Sequence, residues 1–298
     1  MSRRRPRKAT SKLLGYIMTA PAILLFLLIS VYPLLNGIIL SFENYNPVMP
    51  AARAFVGLEN YAKLLGNDAE FRSVLGFSFA YTVSVVAFSY IMGFIFALML
   101  HGPMRGRGVY RTLLLLPYVV APSVAAVNWL WLLNDRIGFV NHVLLTLHIV
   151  QEPLLFLADP TLAKFTVIAL GTWRGFPFMM IVILAGLQSI PRELYESAYV
   201  DGAGFWTSLR YITMPMIRTV SAVCIMLRLI WTFNSFENIY LLTGGGPNRS
   251  TFVLPILTYY TGFWRNRISY ASTIAVFMLA VLVVFSLVYL RLKKKEDI

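Results

Sequence analysis

The chain has 298 residues, of which 58% are hydrophobic and only 13% charged, with a mean hydropathy of +0.69. Soluble domains carry about a quarter charged residues, so this composition excludes an ordinary soluble enzyme or binding module. The formal charge of +13 does not point to nucleic acid, because the basic residues stand at the ends of apolar runs, where membrane topology puts them.

In chain order, Arg3, Arg4, Arg5, Arg7, Lys8 and Lys12 open the sequence as a basic tail over residues 1–13. The tail is similar to the basic region of a secretory leader, and Ala20-Pro21-Ala22 offers small residues for cleavage. The main apolar run, residues 23–40, follows that site instead of preceding it, so the expectation is an uncleaved first membrane helix. Six runs reach the roughly 20 residues that a bilayer-spanning helix needs. They cover residues 14–42, 74–100, 112–133, 163–187, 216–240 and 269–291, which predicts an all-α polytopic membrane protein. Pro21 and Pro33 in the first run, and Pro117 and Pro122 in the third, are expected to kink their helices, since proline removes a backbone donor. Residues 140–150, with leucines at 144, 145 and 147, form an amphipathic piece expected to lie at the membrane interface.

Lysine and arginine counts set the expected orientation. Residues 1–13, 101–111, 188–218 and 291–298 together carry sixteen, against seven in 43–73, 134–160 and 241–268. The excess places both termini and the 188–218 loop in the cytoplasm. Cys224, the only cysteine, lies within an apolar run and cannot form an intrachain disulfide. His101, His142 and His148 show no metal-ligand spacing. No internal repeat is visible, which speaks against transporters built from paired repeats.

The polar loop 189–215 is the most informative segment. Pro191 suits a helix start, Glu193 suits the positive helix N-terminus, and the helix is expected to run to about Val200. Asp201-Gly202 then breaks it, and Ser197, Ala198, Gly202, Ala203 and Gly204 are small enough for another surface to approach. Glu196, Ala198, Asp201, Gly202, Ala203, Ile212 and Pro215 match at the right spacing the coupling-loop pattern of ABC-importer permeases. Ser197 stands where that pattern usually has alanine. Leu-Leu-Thr-Gly-Gly-Gly-Pro at 241–247, and Thr172-Trp173-Arg174-Gly-Phe-Pro-Phe leading to Pro191, resemble permeases of the maltose and glycerol-3-phosphate carbohydrate type, specifically the maltose-permease-F-like member of the pair. The resemblance covers residues 14–291.

The resemblance implies a type I ABC-importer permease fold. Its divisions are a basic tail (1–13), a first helix with outer loop (14–73), a permease core with its coupling loop (74–291), and a second basic tail (292–298). It implies a second homologous permease, two cytoplasmic ATPase subunits, an extracytoplasmic solute-binding protein, a sugar or glycerol-phosphate-like substrate, and surrounding lipid in a bacterial or archaeal cytoplasmic membrane. No cofactor is expected on this chain, with ATP and magnesium on the partner ATPase. The run Gly244-Gly245-Gly246-Pro247 lacks the lysine of a phosphate-binding loop and reads as a tight turn.

Polar groups at membrane depth are costly and mark pathways. Arg228, Trp231, Thr232, Ser235 and Asn238 fall on one face if the fifth span is a continuous helix, with Asn234 beside them and Glu237 off it. Amides and hydroxyls suit sugar hydroxyls, and aromatics suit pyranose faces. Asn234 and Ser235 align with the family's polar pair, and Trp173 and Arg174 are further pathway candidates. Such groups also serve as interhelical hydrogen bonds that hold a bundle together. An ion-coupled secondary transporter or a lipid-modifying intramembrane enzyme would require acidic clusters at depth, whereas Glu237 is the single acid in these runs.

Overall fold

The computed structural model describes residues 8–49 and 53–294, and residues 1–7 and 295–298 of the two basic tails lie outside the described residues. The chain begins with α1 (Lys8–Phe26), a π-helical turn (Leu27–Val31) and α2 (Tyr32–Ser41), followed by a two-stranded hairpin, β1 (Glu43–Asn44) and β2 (Ala54–Phe55), and α3 (Glu59–Gly66). Next come α4 (Ala69–His101), α5 (Arg107–Val119), α6 (Pro122–Leu132), α7 (Phe139–Thr146) and α8 (Pro160–Gln188). The 189–215 segment contains α9 (Arg192–Val200), α10 (Phe205–Ser208), a π-helical turn (Leu209–Thr213) and the start of α11 (Met214–Met216). The remainder is α12 (Arg218–Phe233), α13 (Glu237–Thr243), α14 (Leu254–Tyr259), a π-helical turn (Tyr260–Trp264) and α15 (Ile268–Lys294).

Four helical stretches are long and apolar enough to cross a membrane, Tyr16–Ser41, Ala69–His101, Pro160–Gln188 and Ile268–Arg291, and two bent pairs bring the number to six. The all-α, six-span expectation therefore holds, with corrections in detail. In the first span Pro21 sits inside α1 without a break, and the π-helical turn just before Pro33 absorbs its missing donor. The third span bends by 96° between Val119 and Pro122, while Pro117 stays within α5. The fifth begins at Phe205, bends by 65° at Ile217 and ends at Phe233, short of the expected 240.

The chain forms two compact units, Met1–Asp68 with Thr258–Met278, and Ala69–Leu257 with Leu279–Ile298. In the first, the end of α2 is tied down through its carbonyls. Ser41 O accepts from Asn60 Nδ2 (3.0 Å) and Thr273 Oγ1 (3.2 Å), which satisfies a group that a helix C-terminus leaves open. Arg53 closes the hairpin by donating to both carboxylate oxygens of Glu43, at 2.7 and 3.1 Å.

The second unit is organised by the α4–α8 pair. Lipid is as apolar as leucine, so close packing, more than hydrophobic burial, drives helices together in a bilayer. Ser89, Gly93 and Ala97 form a stripe of small, buried residues on α4. A methyl placed on Gly93 would lie 2.6 Å from Met179 Cβ and 2.8 Å from the Met180 nitrogen on α8. Gly171 meets the Tyr81 hydroxyl and Val85 in the same way. Met179, Met180, Ile183 and Leu187 fill the core beside Leu100, Ile217 and Cys224.

Two expected outer loops are pinned by buried polar contacts that their sequences did not suggest. The 140–150 piece is helical only as far as Thr146, and Asn141 is buried, its side chain bonded to both the nitrogen and the carbonyl of Leu154 (2.9 and 3.0 Å). Gly244 and Gly245, at φ +60° and +88°, make the expected turn, closed by a hydroxyl pair between Thr243 and Thr251 at 2.8 Å. Beyond it the chain dives back: Thr251, Leu254 and Ile256 are fully buried, and Ser78 Oγ accepts the Leu254 N–H at 2.9 Å.

Candidate functional site

Two constellations hold the residues singled out by sequence. The first surrounds α9. Ile190 is buried and anchors the loop to the core, and Pro191, in extended conformation, precedes the helix as its N-cap instead of lying within its first turn. The helix stops by a six-residue closure in which Ala203 N donates to Ala198 O (2.8 Å) and Gly202 N to Tyr199 O (3.0 Å). This is the Schellman geometry, and it requires the left-handed residue that Gly202 supplies at φ +80°. Ala198, Gly202 and Ala203 of the motif thus build the helix stop, while Glu196, Ser197 and Asp201 are exposed.

One side of α9 is pinned. Tyr195, unremarked in the sequence, is half-buried, and its hydroxyl pairs with Thr213 Oγ1 at 3.0 Å. Ile212 packs with Tyr195 against the core. The π-helical turn ending at Thr213 accommodates the missing donor of Pro215, and the chain then bends into α12. Beside the exposed Glu196, Ser197 and Asp201 stand apolar groups: Tyr199 and Val200 of α9 and Phe205 and Trp206 of α10 are each more than 60% exposed, and Phe205 and Trp206 pack edge to face at 5.3 Å. Exposed apolar groups of this size mark contact with another protein or with the membrane.

The second constellation is a polar seam inside the second unit. The fifth span breaks at Asn234, whose side chain turns back to the Ile230 carbonyl at 3.0 Å. The single polar face expected from a continuous helix therefore does not form, and Asn238 belongs to α13. Arg174 joins two broken spans. It donates to Asn238 Oδ1 at 2.5 Å beyond the fifth-span break and to the Val120 carbonyl at 3.2 Å in the third-span break. That carbonyl is in extended backbone between α5 and α6 and needs a donor. Arg228 donates to Gly171 O at 2.9 Å, and the lack of a side chain on Gly175 makes room for its guanidinium.

Ser235 and both arginines lie near the buried Tyr81 phenol. Thr232 is buried and its hydroxyl has no partner, as is true of Nε of both arginines. Trp173 packs on Trp129 (5.9 Å), and Trp231, 46% exposed, meets Phe178 edge to face (5.0 Å). Asn234 is exposed. The structure thus brings Trp173, Arg174, Arg228, Ser235 and Asn238 into the bundle and leaves Trp231 and Asn234 on an open face. Sequence reasoning missed Tyr81 and Trp129. A tyrosine at membrane depth, whose hydroxyl must find a partner, was the available signal.

The pattern of the family described as "Binding-protein-dependent transport system inner membrane component" matches residues 89–296. The trehalose/maltose transport system permease protein MalF of Thermococcus litoralis is 33% identical over 93% of this chain and 92% of its own length. The trehalose transport system permease protein SugA of Mycobacterium tuberculosis is 30% identical, covering 94% and 88%. Among solved structures, a chain of a bacterial ABC transporter involved in the import of the acidic polysaccharide alginate superposes with a TM-score of 0.84 at 26% identity, covering 96% of both chains. The chain belongs to the family of binding-protein-dependent transport system inner membrane components, the permease subunits of ABC importers, which leave ATP hydrolysis to separate subunits.

Proposed function

We propose that this permease carries a saccharide across a bacterial or archaeal cytoplasmic membrane, with both termini and α9 on the cytoplasmic side. It pairs with a second permease, receives its substrate from an extracytoplasmic binding protein, and is driven by two cytoplasmic ATPase subunits that hold ATP and magnesium. The named relatives transport trehalose or maltose, and the structural neighbour is an importer of an acidic polysaccharide. The surplus of lysine and arginine in the 1–13, 101–111, 188–218 and 291–298 segments supports the orientation.

The observation that carries the coupling assignment is α9 itself. It is fixed on one side by the Tyr195–Thr213 bond and presents Glu196, Ser197 and Asp201 beside an exposed apolar patch on the other. A docked ATPase subunit would cover this surface, and the Schellman closure ends the helix where the chain leads into α10 and the bent fifth span. In the translocation pathway Trp231 and Asn234 offer a ring face and an amide to sugar, with Ser235 behind them.

The test is uptake by the reconstituted transporter. Glu196→Lys and Gly202→Asp are expected to insert and pair with the second permease but to abolish uptake and loosen ATPase retention. Wild-type uptake in both variants would overturn the coupling assignment.

A further inference from the structure

We propose that the cleft between the first turns of α4 and α8 is a binding site for one anionic phospholipid. The cleft has a volume of about 730 Å³ and lies between residues 70–80, residues 161–168 and the 248–252 segment. It is at the opposite end of α8 from α9, a helix of 29 residues and hence about 43 Å at 1.5 Å per residue. That length sets the cleft at a membrane boundary.

Its chemistry changes along its length. At the rim stand Arg72, Lys164 and Arg249, all exposed. Arg249 donates to Glu70 at 2.5 Å and lies over the Phe252 ring, and Lys164 Nζ lies 5.6 Å from the centroid of Phe77. Arg72 and Lys164 form no ion pair with any described residue. Ser250 adds a buried hydroxyl with no hydrogen-bond partner, and such an orphan calls for a bound group. Further along both helices the lining turns apolar. Gly76 and Ala80, four residues apart on α4, form a trough between Phe77 and, on α8, Phe165 and Ile168. Nothing lies within 4 Å of where a Gly76 side chain would begin.

A cationic rim with a hydroxyl, continuous with an apolar trough along a membrane helix, fits a phosphate headgroup and its acyl chain. A saccharide would leave the trough unmatched, and an acidic protein segment would leave it empty. The net positive rim, three cations against Glu70, selects an anionic headgroup over a zwitterionic one.

The test uses the purified, assembled transporter in nanodiscs, with retained lipid counted by native mass spectrometry. Phosphatidylglycerol is titrated against phosphatidylcholine, with glycerol 3-phosphate as a headgroup lacking acyl chains. Three versions are compared: wild type, the double variant Arg72→Gln with Lys164→Gln, and Gly76→Leu, whose side chain starts in open space and extends into the trough. Wild type should retain phosphatidylglycerol preferentially. The double variant should lose about fivefold of that preference per charge. Gly76→Leu should lose the lipid while keeping its melting temperature. Equal retention of both lipids by wild type, unchanged retention in Gly76→Leu, or competition by glycerol 3-phosphate alone would overturn the proposal. So would loss of binding-protein docking in the double variant with lipid retention intact, which would assign the rim to a protein partner.

Discussion

Around α9, the bond that pins the helix, Tyr195 to Thr213, spans 18 residues, and the closure at Gly202 spans five. In the polar seam, Arg174 reaches 54 residues back to Val120 and 64 forward to Asn238. The α9 loop is specified by short-range bonds and seated on the core through Ile190, Tyr195 and Ile212. The seam exists only while α4, α8 and the two broken spans hold their register. A rigid part joined to a register-dependent one is the arrangement that a transporter driven from outside its own chain requires. Under the proposed coupling the first would receive the push, and the second would change as helices shift.

The largest expected effect strikes the support of the seam. Gly93→Leu would drive a side chain into Met179 and Met180, where even a methyl is too close. Overpacking of this kind costs about 1–3 kcal/mol or more. Thermal melting of the purified subunit should show a lowered midpoint, and transport should be lost with it. An unchanged midpoint would mean that the seam does not hang on this contact.

The next effect sharpens the comparison within the seam. Arg174→Met and Asn238→Leu, singly and together, form a double-mutant cycle. A hydrogen bond to a charged group contributes about 1.5–3 kcal/mol, so the pair should couple by an amount in that range when unfolding is measured. Purely additive losses would remove Arg174 from its role as the link between the two broken spans.

These differences in construction also decide what the sequence reveals. The stop at Gly202 was legible because a helix end is local chemistry, whereas Ala198 and Ala203, read from sequence only as small residues, turn out to be the acceptor and donor of its closure. The first, third and fifth spans were found, and Pro122 announced the bend in the third, but its sharpness, the bend at Ile217 and the end of the fifth helix at Asn234 were not legible. Helical periodicity cannot register the point at which a tertiary donor such as Arg174 makes a break tolerable. The buried run from Thr251 to Leu257 was read as outer loop because its turn signals, Gly244 to Pro247, outweighed a short apolar stretch. Its burial depends on Ser78, far away in sequence.

A smaller effect separates sugar contact from packing. Asn234 is exposed and satisfies one backbone carbonyl, and Ser235 lies near Tyr81. If the two line the pathway, Asn234→Ala and Ser235→Ala should each cost about 0.5–1.5 kcal/mol of substrate interaction. That corresponds to roughly two- to tenfold in apparent affinity. Uptake of two related sugars should change in ratio while the melting temperature holds. A lowered melting temperature with an unchanged ratio would return both residues to a packing role and shift the sugar contact toward Trp173 and Trp231.

The most direct measurement is the accessibility of α9 in intact cells. A single cysteine at Ser197, exposed on α9, is introduced after Cys224 is replaced, and a membrane-impermeant thiol reagent is applied from each side in turn. Labelling should occur only from the cytoplasmic side and should fall sharply when the ATPase subunits are co-assembled. Labelling from the outer side, or cytoplasmic labelling that the ATPase leaves unaltered, would contradict the account that α9 is the surface through which this permease is driven.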